Sequence, residues 1–170
     1  MRPGCLLVLV LAAATACDGD AGAGPGPEDY FTQLARVSEN ATIQERGLRR
    51  DLRVRLENAG GGEDRMDALL VYVDQSARLY EDVVDALAAL EPGDEVRTAH
   101  EAYVDAWRSQ RQLIVAVRDA GDSASEILDA LEKPVFADAA AERRAACEDL
   151  QAAVSAVGAN ADLACGARSG

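Results

Sequence analysis

The side chains able to do chemistry are few. His100 is the only histidine and Trp107 the only tryptophan, and Tyr103 stands between them. Tyr80 precedes the run Glu91-Pro92-Gly93-Asp94 by about as much as Tyr103 and Trp107 follow it. Antiparallel helices joined by that run would gather Tyr80, His100, Tyr103 and Trp107 at one level. Such a level makes an aromatic pocket for an apolar or flat ligand, with the imidazole as its polar handle. The same residues at helical spacing also suit a plain core layer whose hydroxyls and ring nitrogens find partners at its edge.

Catalysis and metal binding find less support. Zinc needs three or four ligands, and a nucleophilic Ser or Cys needs a base held beside it, so His100 would have to serve alone. Bundle di-metal sites use Glu-x-x-His pairs, whereas the residue three before His100 is Arg97. The acids Glu81, Asp82 and Asp85 lack the loop spacing and central glycine of a calcium-binding loop, and they suit a solvated helix face. Cys-x-x-Cys-His is absent, so no attached haem is expected. The expectation is no metal, no cofactor and no enzymatic activity. The one basic concentration, Arg46, Arg49, Arg50, Arg53 and Arg55, has the chemistry to hold a phosphate or carboxylate. Pairing with Glu63, Asp64, Asp67 and Asp74 on a neighbouring helix, together with pairing within its own helix, accounts for it without a ligand.

These residues must be positioned by helices, because apolar residues recur at helical spacing and nowhere alternate. A first helix over about residues 28–58 buries Tyr30 or Phe31, Leu34, Val37, Ala41, Leu48, Leu52 and Leu56, with Gln44 and Glu45 interrupting the stripe and a bend expected near Gly47. A second, about 63–90, places Met66, Leu69, Val73, Ala77, Tyr80, Val84 and Leu87 inward. Pro92 stops it, and Asp94 is expected to cap a third helix over 94–120. There the heptad positions Val96, Tyr103, Gln110 and Val117 are joined by Ala99, Ala106 and Leu113, with His100, Trp107 and Ile114 flanking them. Ser123 to Glu126 is a capping box for a short helix that Pro134 must end near Lys133. A last helix from Pro134 to about Val157 buries Phe136, Ala139 or Ala140, the stem of Arg143, Cys147, Leu150, Val154 and Val157. The fold class is all-α: an up-down-up-down four-helix bundle with a short extra helix before the last long one.

Composition limits the partners. The formal charge is −13, which argues against nucleic acid and against a basic membrane-binding face. Residues 1–16 carry the basic Arg2 at their start, continue through an apolar run from Cys5 and end on the small residues Ala14, Thr15 and Ala16 before Cys17. That layout is an export leader, too short to span a bilayer. It resembles the lipobox of bacterial lipoproteins, although Ala14 stands where leucine is usual. The resemblance implies that Cys17 is acylated and becomes the mature N-terminus. An ordinary secretory leader cut near Ala16 is the alternative. Residues 17–27 then form the lipidated cysteine and a Gly/Pro tether, and 28–170 the single helical domain.

Export leaves two thiols, Cys147 and Cys165, in an oxidising compartment, which is the number one disulfide needs. A helix descending from Cys147 and an extended return to Cys165 make the distances compatible. With the spacing of Glu95, His100, Tyr103 and the two cysteines, the chain is similar to secreted helical lipoproteins of unassigned activity. That similarity implies a lipid-anchored place on the outer face of the cytoplasmic membrane, in the cell envelope. Two functions are expected from these readings: a non-enzymatic accessory that binds an envelope protein, or a carrier or sensor of a small ligand at the Tyr80, His100, Tyr103, Trp107 level.

Overall fold

The computed structural model describes residues 27–165. Five helices and no strand occur among them: α1 Pro27–Asn58, α2 Gly62–Ala88, α3 Asp94–Ala120, α4 Ala124–Leu131 and α5 Pro134–Ala156. The leader, Cys17 and most of the tether lie outside the described residues. None of the helices is long and apolar enough to cross a membrane.

Each helix buries a face whose width follows its number of neighbours. α2 packs against α1, α3 and α4. It therefore buries more than the seven expected positions, adding Ala68, Ser76, Leu79 and Val83, while Met66 and Tyr80 are only half-buried. α3 touches α2, α4 and α5, and its stripe centres on the flanking positions. His100, Trp107 and Ile114 are buried with Val96, Tyr103, Val104, Gln110 and Val117, whereas Ala99, Ala106 and Leu113 are half-buried. One core joins α1, α5 and the facing halves of α2 and α3, from Leu34 and Leu87 to Trp107 and Leu150. A second closes around Leu69, Val73, Ile114 and Ile127 under α4.

Helix ends depart from expectation in instructive ways. Asp94 does not cap α3: Gly93 occupies the cap position, and the Asp94 carboxylate in the first turn takes Arg97 at 2.7 Å. An arginine three residues on offers a charged partner, which wins over a lone backbone N–H at an exposed site. The box before α4 forms with a shift. Ser123 Oγ accepts from the Glu126 N–H at 3.3 Å, while Glu126 reaches back to the Asp122 N–H at 3.0 Å. The break at Lys133 and Pro134 occurs as expected. Val157, expected inside, is 42% exposed, because α5 ends at Ala156 and Gly158 turns the chain with φ +78°. The returning tail places Leu163 inside instead, at 1% exposure.

The tail is held at three points. The Gln151 amide donates to the Ala161 carbonyl at 2.7 Å and accepts the Leu163 N–H at 2.8 Å. Cys165 is joined to Cys147 by a disulfide with 5.5 Å between Cα atoms.

Two glycines give opposite expectations. α1 runs without interruption through Gly47, where a Cβ would meet nothing within 4 Å. Gly47→Ala should stabilise the domain by about 0.5–1 kcal/mol, since alanine loses less backbone entropy in a helix. Gly121 has ordinary φ, but a Cβ there would run into the fully buried Ile127 side chain and the Val117 carbonyl. Gly121→Ala should cost about 1–3 kcal/mol by overpacking. Urea midpoints moving in opposite directions for the pair would bear this out; equal shifts would contradict it.

Candidate functional site

The stripe of α1 runs Ala41, Glu45, Leu48, Leu52, so a carboxylate stands where an apolar residue belongs. In α5, Arg143 falls between Ala139 and Cys147 on the inward face. The two intruders meet. Arg143 Nη1 donates to Glu45 Oε1 at 2.9 Å and Nη2 to Oε2 at 3.0 Å, a bidentate fork with the side chains 16% and 10% exposed. The Tyr80 hydroxyl donates to Glu45 Oε1 at 3.0 Å. Burial, with the Glu45 carboxylate adding to it, pushes the Tyr80 phenol far above its ordinary pKa, so it stays protonated and keeps donating. Burial works against the Arg143 charge, but Glu45 more than restores it and holds the guanidinium pKa above its ordinary value.

Arg143 also lies 4.0 Å from the centroid of the Trp107 ring. Tyr80 and Tyr103 meet the same indole edge-on, at 5.5 and 6.2 Å between centroids. The Tyr103 hydroxyl reaches Ser38 Oγ at 3.5 Å. Of the four aromatic residues expected at one level, three therefore assemble: Tyr80, Tyr103 and Trp107.

His100 does not join them. Seven residues of helix separate it from Trp107, about 10 Å along the axis, and across the α2–α3 turn its partner is Leu87. Its Nε2 donates to the Leu87 carbonyl at 3.1 Å, and a carbonyl can only accept. Nδ1 must then accept from the Tyr30 hydroxyl, 3.0 Å away. Burial lowers the imidazole pKa and pushes the Tyr30 phenol up to about 12. The histidine expected as a ligand handle is a neutral, doubly bonded strut between α1, α2 and α3.

That arrangement has a pH consequence. An imidazole whose pKa is lowered on folding binds fewer protons in the native state than in the unfolded chain. Stability is therefore full above the unfolded value of 6.5 and falls as pH drops below it. Because His100 is the only histidine, the slope between pH 6.5 and 5 belongs to it before carboxylates take over. His100→Gln should flatten urea midpoints across that interval; an unchanged slope would assign it elsewhere.

Outside the Glu45–Arg143 pair lies a cleft between α1 and α5 with a cavity volume of about 170 Å³. Its walls include Arg46 and Arg49 from α1, Arg143 and Arg144 from α5, Trp107 and the Cys147–Cys165 disulfide, and Glu45 is its one acid. The arginine run thus does not pair with the start of α2. Within the run only Arg49 forms an ion pair among the described residues, at 3.7 Å with Glu45 of its own helix. Asp74 instead faces Arg118 at 4.0 Å, and Asp64 accepts the Gly60 N–H at 2.8 Å. Positions 46 and 49 flank Glu45 on α1 and line the cleft that α5 faces.

Among the described residues no three His, Cys, Asp or Glu side chains gather as a metal-binding group. Glu45 and Arg143 were missed as a site by sequence reasoning. The signal for them was present, since opposite charges interrupt the apolar stripes of two different helices. Comparison with protein-family models, with curated proteins and with solved structures gives no match.

Proposed function

We propose that this chain is an exported lipoprotein, held by acylated Cys17 on the outer face of the cytoplasmic membrane, whose helical domain binds a small ligand without catalysing a reaction. In this reading α1, α2, α3 and α5 alternate in direction as an up-down-up-down bundle, α4 is an insertion, and the Glu45–Arg143 fork closes the ring. The lipobox-like residues before Cys17 and the disulfide both fit export to an oxidising compartment.

The single observation behind the ligand reading is the α1–α5 cleft: a concave site beside the only tryptophan, with convergent charged groups at its wall. It replaces the α2–α3 aromatic level as the candidate site, since Tyr80 and Trp107 are occupied in packing Glu45 and Arg143. An accessory that docks an envelope protein is the second reading. Ile43 and Val54 favour it, being 57% and 49% exposed on nearly one line of α1.

Acylation is tested by metabolic labelling with radioactive palmitate: label on the natural chain and none on Cys17→Ser supports the anchor, and an unlabelled natural chain removes it. Thermal-shift screening tests the ligand, because a compound at 100 times its Kd adds about 2.7 kcal/mol. A reproducible partner recovered from cross-linked membranes, with no stabilising compound, would shift the reading to the accessory.

A further inference from the structure

We propose that the α1–α5 cleft is an anion site, in which Arg46, Arg49 and Arg144 receive a phosphate or carboxylate group beside Trp107. This deepens the ligand reading above and rests on it.

Charge is the first argument. The chain carries a formal −13, so a concavity taken at random should be acidic, yet this one sets four guanidiniums against one carboxylate. That carboxylate is already committed, since both Glu45 oxygens are held by the Arg143 fork and Oε1 also takes the Tyr80 hydroxyl. Arg143 is therefore a positioning residue that braces the Trp107 wall. Arg46 and Arg144 form no ion pair with a described residue, and the Arg49 contact to Glu45 is long at 3.7 Å. Three guanidiniums thus line one cleft, two of them without an ion-pair partner among the described residues and the third with only that long contact. An isolated exposed arginine contributes little, but several around a concave site walled by an indole and a disulfide focus their field there. The guanidinium fork matches the planar oxygens of carboxylate and phosphate.

Size is the second. The volume of about 170 Å³ is well below the roughly 300–1,000 Å³ of drug-sized ligand sites, and close to the ~150 Å³ that accommodates benzene. The cleft takes a compact oxyanion, or the anionic head of a larger molecule whose body stays outside.

Position separates the two possible sources. Arg46 lies nineteen residues along α1 from Pro27, about 28 Å at helical rise and beyond the midpoint of the helix. A domain standing upright on its anchor keeps this cleft away from lipid head groups, which favours a soluble anion.

The test uses the full mature lipoprotein in neutral detergent at low ionic strength, reading Trp107 fluorescence and thermal stability. Inorganic phosphate and succinate are titrated against sodium chloride of matched ionic strength, with neutral 1-naphthol as a parallel probe. Saturable binding of phosphate or succinate, weakened at least about tenfold by Arg46→Gln/Arg144→Gln, is the expected result. Both positions are exposed, so that variant should fold, and an unchanged melting temperature without ligand would verify it. An undiminished affinity in the double variant would overturn the site, and so would the absence of saturable binding to the free anions and to phosphatidylglycerol vesicles alike. If 1-naphthol binds while neither the anions nor those vesicles do, the ligand reading survives and the anion inference falls; if none binds, both fall. Binding to phosphatidylglycerol vesicles but to neither free anion nor phosphatidylcholine vesicles would overturn the soluble source and keep the anion chemistry.

Discussion

Glu45→Ala should destabilise the domain by about 3–5 kcal/mol, the cost of removing one partner of a buried ion pair. The substitution leaves the Arg143 guanidinium without its bidentate acceptor at a position where its side chain is only 16% exposed. The Tyr80 hydroxyl loses its acceptor at the same time. Nothing else near at hand replaces that oxygen pair, because Glu45 is the only acid at the cleft. Removing both charges is a different experiment. Glu45→Leu/Arg143→Met takes away the fork and the desolvation it imposes, so most of the loss should return, with a coupling of about 2–3 kcal/mol across the cycle. Urea titration with an unchanged slope and shifted midpoint measures each term. A single-variant loss under about 1 kcal/mol would show that the pair behaves like exposed surface charges.

Reducing the Cys147–Cys165 disulfide, or replacing Cys165 by serine, should lower stability by about 3 kcal/mol, since it opens a loop of sequence separation 18. The loss grows if the tail then leaves its groove. Leu163 is 1% exposed, and its full burial is worth roughly 1.5–3 kcal/mol more. Ala164 adds a reason for the tail to move: its φ of 53° lies in the left-handed region, where a residue with a Cβ is strained by about 1–2 kcal/mol. The bond at the next residue and the Asp162 carboxylate on the Ala164 N–H, at 2.8 Å, hold that conformation. Since both cysteines wall the cleft with Trp107, reduction should also change the tryptophan emission. Equal urea midpoints with and without reductant would deny the bond any part in stability.

How far the fold could be read from the chain depends on how local the cause was. α3 was placed at its observed bounds because Pro92 and Gly121 mark its ends and a dense stripe lies between them. Ser123, Lys133 and Pro134 placed α4 and the start of α5 for the same reason: a cap or a missing N–H acts within one turn. The disulfide was legible through the expectation that export leaves Cys147 and Cys165 as a pair, and the chain reversal at Gly158 permits it. Asp94 reads as a cap in the sequence but pairs with Arg97 in the structure, because two partners compete for one carboxylate at nearly equal distance in sequence.

The site was less legible. Glu45 looked like a flaw in one stripe and Arg143 like a stem covering another, since each is costly to bury alone and only the pair makes sense. The aromatic level was correct for Tyr80, Tyr103 and Trp107, and it failed for His100, which sits two turns nearer the connection and bonds Tyr30 and Leu87.

By itself the amino-acid order determined the helices, several of their ends and most of the residues available for burial, because periodicity, proline, glycine and capping act over a few neighbouring residues. Only the tertiary structure decided that a carboxylate of α1 meets a guanidinium of α5 ninety-eight residues away, and that two arginines of α1 look at α5 across a cleft. Those outcomes depend on how each helix is rotated about its own axis. That rotation is set by the summed packing of several partners at once, a quantity no single segment contains.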